Sequence, residues 1–242
     1  MIEIHDLVKA YDGFRAVDGL SLRVDPGEIL GLVGPNGAGK TTTLRRLAGI
    51  VPPTSGRVAI AGFDLLQRPI EARQRLAFVP DEPHLFDHLT ALDHLILFSR
   101  LYGVADGPTR AEAILADADL HDQRLSFPGE LSRGMKQKLV IACALLHRPE
   151  ALVLDEPLTG LDPAAMRRMK RTVSDTAAAG ASVIVSSHML HLVEEVCDRV
   201  LIVSHGKSVL EGTLEEIRTQ LPDVDADADL ETLFLKATGG DQ

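Results

Sequence analysis

The sequence predicts an α/β fold: a parallel-sheet core, an antiparallel β subdomain beside it, and a helical subdomain inserted into it. Short apolar runs alternate with helical patterns, as a parallel sheet covered by helices requires. "EILGLVG" (28–34), "ALVLDE" (151–156) and "SVIVSSH" (182–188) are buried-strand candidates. A helical pattern follows the first from Lys40 to Ile50, and another fills 163–179 between the second and third. Near the N-terminus the period changes. "VDGLSLRVDPGE" and "SGRVAIAGFDL" alternate every second residue and carry turn residues, which predicts antiparallel strands. The stretch 83–147 is mostly helical by its apolar spacing.

The remaining elements follow in order. "MIEIHDLVKAY" reads as a strand and lacks the composition of a signal peptide. In "LTALDHLILFSRLYG", Thr90 and Asp93 stand at capping-box spacing, with Leu92, Leu95, Ile96 and Leu101 available for a buried face. "RVLIVSHGKSVLEG" predicts a hairpin turning at His205-Gly206. "PDVDADAD" (222–229) reads as a solvated acidic linker, since a calcium loop needs a glycine and a spaced glutamate that it lacks. "LETLFLKATGG" predicts a short amphipathic helix. No internal repeat occurs, and the expectation is one domain over 1–242 with a C-terminal tail from about 217.

At 242 residues and 45% hydrophobic composition the chain can bury a core. Its net charge of -10 argues against a nucleic-acid binder, which needs a basic face. "MRRMKR" (166–171) is basic, but on a helix it reads as a solvated face. Cys143 and Cys197 each sit in an apolar, helix-like stretch and are expected to be buried free thiols of a reducing compartment. No apolar run approaches the roughly 18 residues that span a bilayer. A cytoplasmic location is expected, with any membrane role supplied by a partner.

Residues Gly34, Pro35, Asn36, Gly37, Ala38, Gly39, Lys40 and Thr41 spell G-x-x-x-x-G-K-[ST], directly after a strand and before a helix that continues with Thr42. That context marks a P-loop NTPase. The glycines let successive N–H groups point at phosphate oxygens, and the helix start adds its dipole. Lys40 supplies a cation for the β- and γ-phosphates and Thr41 a hydroxyl for Mg²⁺. At the end of "ALVLDE", Asp155 is placed to hold the Mg²⁺ shell, and Glu156 to polarise a water for attack on the γ-phosphate. No N-K-x-D guanine-reading motif is present, and a small-molecule kinase has no use for "LSRGMKQ" (131–137).

With these motifs in order, the chain resembles the nucleotide-binding subunit of an ATP-binding-cassette (ABC) transporter along nearly its whole length. Tyr11 matches the aromatic that stacks on adenine, or is a packed surface aromatic. "GPNGAGKT" is similar to Walker A, "LSRGMKQ" to the signature commonly written LSGGQ, "LVLDEP" to Walker B, "GLD" (160–162) to the D-loop, and His188 to the switch histidine. The resemblance implies an ABC ATPase fold, ATP and Mg²⁺ as ligands, and a head-to-tail dimer with itself or a related subunit. In that dimer Ser132 and the Gly134 amide cap the ATP of the opposite chain, Asp162 bridges the halves, and His188 contacts the γ-phosphate. Arg133 stands where the common signature has glycine, and either adds a phosphate contact or points to solvent. Asp81 stands where the family has a glutamine that touches Mg²⁺ or the attacking water, with Glu82 as the neighbouring alternative. The helical insert is implied to receive a membrane-spanning permease subunit near "DEPHLFDHLT" (81–90), where Leu85 and Phe86 are either groove contacts or ordinary insert core. The signature form favours a bacterial exporter peripheral to the cytoplasmic face of the membrane. The alternative is a soluble ABC ATPase such as one serving iron–sulfur cluster assembly.

Overall fold

The computed structural model describes residues 1–159, 161–222, 224–225 and 227–239. The N-terminal half contains β1 (Ile2–Tyr11), β2 (Phe14–Val24), β3 (Ile29–Val33), α1 (Lys40–Leu47), β4 (Ser55–Ile60), β5 (Phe63–Asp64), α2 (Pro69–Gln74) and β6 (Leu76–Val79). Then come α3 (Ala91–Leu101), α4 (Gly107–Asp117), α5 (Arg133–Leu145), β7 (Ala151–Asp155), α6 (Pro163–Ala178), β8 (Ser182–Ser186) and α7 (Leu190–Val196). The chain closes with β9 (Arg199–Ser204), β10 (Lys207–Gly212), α8 (Leu214–Gln220) and α9 (Leu230–Thr238).

Two sheets form, as the change of period predicts. The antiparallel sheet has the order β2-β1-β4-β5, and the larger sheet the order β10-β9-β3-β8-β7-β6. In the larger sheet all neighbours are parallel except the β9–β10 hairpin. Its central strands β3, β7 and β8 are buried on both faces, so they read as continuous apolar runs. Val153 and Ile184 face Leu44 and Leu47 of α1, which lies between this sheet and Ile2, Leu7 and Leu20 of the antiparallel sheet. Leu152, Leu154, Val183 and Val185 face the other way, onto Met169 and Val173 of α6 and Ile141 of α5. Each such side chain contributes about 1.5–3 kcal/mol of burial free energy.

The topology decides where the chemistry falls. β3, β8, β7 and β6 are adjacent and parallel. Their C-terminal ends therefore share one edge, where ligands of open α/β sheets bind. The loops that leave those ends carry 34–39, 187–189, 156–162 and 80–90 in turn.

Three hairpins turn on two left-handed residues each: Asp12-Gly13 (φ 45° and 86°), Ala61-Gly62 (φ 50° and 80°) and His205-Gly206 (φ 49° and 78°). These are the backbone values of a type I′ turn. The last hairpin reaches the phosphate loop: the Gly206 amide donates to the Ala38 carbonyl at 3.0 Å, and the Gly206 carbonyl accepts from the Asp18 amide at 2.8 Å. A Cβ on Gly39 would lie 2.3 Å from the Ala16 carbonyl oxygen, and one on Gly206 2.9 Å from the same atom. Only bare backbones pack this closely.

The helical insert has its own core, in which Leu95, Ala111, Leu115, Leu139 and Leu146 are fully buried. The Thr90–Asp93 capping box at the start of α3 forms as expected. The expected buried face needs correction. Leu95 lies in it, Leu92 and Ile96 are half-buried, and Leu101 is 67% exposed. Ala91, His94 and Ser99 join Leu95 there, whereas Leu101, in the same last turn as Ser99, points away from that face at about 100° per residue. The helix read from Lys40 to Ile50 stops at Leu47, since Gly49 turns left-handed (φ 69°) and sends Ile50 into solvent. Both cysteines are free, but only Cys143 is fully buried; Cys197 is half-buried beside Gly31. On α6, Arg167, Arg168 and Arg171 are exposed while Met169 is buried, the solvated face expected. Beyond 217, Ile217, Leu230 and Leu233 are fully buried against Val33, Val200 and Ile202, and α9 is amphipathic as expected. Asp223 and Ala226 of the acidic linker, Gly160 of "GLD" and Gly240 lie outside the described residues. Among the described residues no helix is long and apolar enough to cross a membrane.

Candidate functional site

An open cleft of about 550 Å³ lies over the shared strand edge. Its floor is Asn36, Gly37, Ala38, Gly39, Lys40, Thr41 and Thr42. Gly34 and Pro35 lie behind this floor, and their carbonyls hold the lysine: Lys40 Nζ donates to the Gly34 oxygen at 2.6 Å and to the Pro35 oxygen at 3.3 Å. Burial pushes the Lys40 ammonium below its usual range, while Glu156 and Asp155 pull it back up. A cation half stripped of water at a helix N-terminus is a strong anion site.

Asp155 ends β7 and is 2% exposed. Its Oδ1 accepts from Ser186 Oγ at 2.7 Å and from Thr41 Oγ1 at 3.4 Å. Ser186 stands opposite Asp155 in the parallel register, and its Oγ also accepts the Glu156 amide at 3.1 Å. One serine thus fixes both acids. Sequence reading missed it, because a serine in "SVIVSSH" looks like any strand-end hydroxyl; only the register pairs it with β7.

Glu156 adopts the left-handed conformation (φ 50°), which costs a residue with a side chain about 1–3 kcal/mol. The turn throws its carboxylate away from that of Asp155 and into the cleft. There its Oε2 lies 2.8 Å from His188 Nδ1 and accepts the His188 amide at 3.3 Å. Asp81 also lines the cleft, whereas Glu82 does not. At the mouth stand Tyr11 and Phe14, paired across the Asp12-Gly13 turn, with Lys9 Nζ 4.6 Å from the Tyr11 ring centre. Phe14, 64% exposed, was not anticipated, although a two-residue D-G turn places its flanking residues opposite each other.

Ser132, Gly134 and Asp162 are not in this cleft. Ser132 is exposed and caps α5, accepting the Met135 amide at 3.3 Å. A Cβ on Gly134 would touch nothing within 4 Å. Asp162 caps α6, accepting the Ala164 and Ala165 amides at 2.9 and 2.8 Å, and the Ala165 bond above all holds its carboxyl below the usual range. Leu85 packs on the core of the insert, whereas Phe86 is 57% exposed.

Comparison with known proteins agrees with this geometry. The family model for ABC transporter matches residues 17–159. Nod factor export ATP-binding protein I of Burkholderia pseudomallei (strain 1710b) is 39% identical over 213 residues, 87% of this chain and 70% of that protein. The solved ATP-binding subunit of an ABC transporter superposes with a TM-score of 0.93 at 34% identity, covering 98% of this chain and 99% of the other. A dimeric ATP-binding cassette in a post-hydrolysis state, bound to ADP and Pi, superposes with a TM-score of 0.79 at 25% identity, over 88% of this chain and 99% of that one. A phosphate loop, two differently held acids and a full-length match in fold lead to one conclusion: this chain belongs to the ABC transporter family, as an ATP-binding subunit that hydrolyses ATP for transport.

Proposed function

We propose that the chain is the motor of an exporter: two copies, or this chain and a related one, close around two ATP and Mg²⁺ and drive a separate membrane-spanning subunit. The observation that carries the reading is the split between the cleft and the signature. Lys40, Thr41, Asp81, Glu156 and His188 line one space, with Asp155 bonded to Thr41 behind them, while Ser132, Gly134 and Asp162 lie outside it.

Within the cleft, the 34–39 loop and the start of α1 bind the phosphates, with Lys40 turning from its loop carbonyls toward the β- and γ-oxygens. Tyr11 stacks on the adenine, with Phe14 beside it. Glu156 accepts the proton of the attacking water, oriented by His188, which also reaches the γ-phosphate. Thr41, Asp155 and Asp81 supply hard oxygen donors that fit Mg²⁺. Among the described residues no three or more His, Cys, Asp or Glu gather as a metal cage. That suits an ion completed by substrate phosphates and water. Mg²⁺, when bound, neutralises charge on the transferring phosphoryl group.

Export is supported by the relative named for Nod factor export. Attachment to the cytoplasmic face of the membrane then comes through the partner, at the exposed Phe86 and the loop around it. The test is co-expression with a membrane subunit encoded beside this chain, followed by purification in detergent. The two should co-purify, and Phe86→Asp should release the ATPase while nucleotide binding persists. Retention by Phe86→Asp moves the contact elsewhere; absence of any membrane complex removes the export reading.

A further inference from the structure

The segment between β6 and α3 carries both Asp81 and Phe86; Leu85 packs it on the insert core, and His94 supplies its hydrogen bond. His94, 1% exposed, lies in the second turn of α3. Its Nε2 accepts the Phe86 amide at 2.9 Å, and its Nδ1 lies 2.7 Å from the Thr90 carbonyl oxygen. Among the described residues this Phe86 bond is the one hydrogen bond that ties residues 80–89 to the rest of the chain. An amide N–H only donates and a carbonyl only accepts. The imidazole is therefore neutral, with its proton on Nδ1 and a bare Nε2.

Adding a proton to Nε2 sets two donors against each other across the Phe86 bond, on a ring that is 1% exposed. The surroundings offer the resulting cation little. Below Phe86 lies a cavity of about 150 Å³ whose lining includes His84, Phe98, Tyr102, Cys143 and His147, and no carboxylate. On that side burial pushes Cys143 up to about 12, raises Tyr102, and lowers His147 to about 4. On α3 itself Asp93 is the neighbouring acid; its charge reaches His94, but its Oδ2 is hydrogen-bonded to Thr90, at 2.6 Å to Oγ1 and 3.2 Å to the amide. On the segment, Asp87, His84 and His88 are exposed. A charged ring at 94 gains most by letting the segment swing away and admitting water.

We infer that His94 is a proton-sensitive latch: the neutral ring fixes residues 80–90, and protonation releases them. The latch stands on this geometry alone; its effect on coupling, through Phe86 and Asp81, rests on the proposed function. Acidification then loosens the contact with the membrane subunit without touching Lys40, Thr41 or Asp155.

The test is hydrogen exchange at the Phe86 amide of the full chain, corrected for intrinsic rates, from about pH 8 to about pH 5. Protection should fall by about tenfold or more across this range, because opening becomes linked to proton uptake. In His94→Gln the side-chain oxygen reaches the Nε2 position but does not titrate, so protection should be flat. His147→Gln, which alters the other buried imidazole of the cavity, should behave as the unsubstituted chain. Protection independent of pH in the unsubstituted chain, or a fall that persists in His94→Gln, overturns the latch. Ring ¹⁵N shifts of His94 in the unsubstituted chain give a second reading that no substitution can spoil. Nε2 should be bare at about pH 8, and a proton found there overturns the proposal. Neither measurement involves the membrane subunit, so failure of the export reading leaves both results unchanged.

Discussion

Two helices of this chain begin at polar loops suited to an anion, and their surroundings differ completely. α1 begins under the phosphate loop, walled by Asp81, Glu156 and His188 from three other strand ends. α5 begins at the exposed Ser132, with no acid in its first turn and open space at Gly134. The first start is fixed by the rigid sheet edge. The second is fixed by the insert core of Leu95, Leu115 and Leu139, while Ile141, further along α5, packs on the sheet. On the proposed function, each of these starts is half of a site. One chain then holds two separate half-sites, and a second chain brings them together.

The sharpest way to break that comparison is inside the cleft. Glu156→Gln should cut turnover by about 10²–10⁴, the usual loss for a positioned base, or roughly 3–5 kcal/mol of barrier. Steady-state hydrolysis at saturating Mg-ATP checks it, with nucleotide binding retained; Lys40→Ala should weaken the binding itself. The next effect separates the two cores. Leu95→Ala should destabilise the insert by about 2–5 kcal/mol in denaturant titrations, because it empties a fully buried position. Asp81→Asn should raise the Mg²⁺ midpoint of hydrolysis by about tenfold, the scale of losing one supporting group at a metal. Glu82→Gln, outside the cleft, should leave that midpoint alone. Leu101→Ala should change stability by less than about 0.5 kcal/mol, since that side chain is already in water.

The cleft half was largely legible in the sequence, because its parts are local. A strand, a glycine loop and a helix start are contiguous from Ile29 to Thr42, and Asp155-Glu156 ends a run that reads as a buried strand. What the sequence withheld depends on pairing between distant strands. Ser186 acquires its role only through the β7–β8 register, and Phe14 through the turn that sets it against Tyr11. The left-handed turn at Glu156, which separates two adjacent acids, has no signal in a residue type that rarely adopts it. Leu101 was misjudged for a different reason: an apolar residue type outweighed its spacing, which sets it off the face that Ala91, Leu95 and Ser99 share. His94 was invisible too, since a histidine among apolar helix residues announces neither its tautomer nor the amide it holds.

The claim that the signature serves another chain is tested most directly by size-exclusion chromatography of Glu156→Gln with Mg-ATP. That variant binds nucleotide without consuming it, and it should elute as a dimer with ATP and as a monomer without. Ser132→Arg added to it should return the protein to monomer in ATP, because the arginine fills the space meant for the other chain's γ-phosphate. A dimer that persists unchanged in the double variant would contradict the account: Ser132 would then have no part in closing the opposite site.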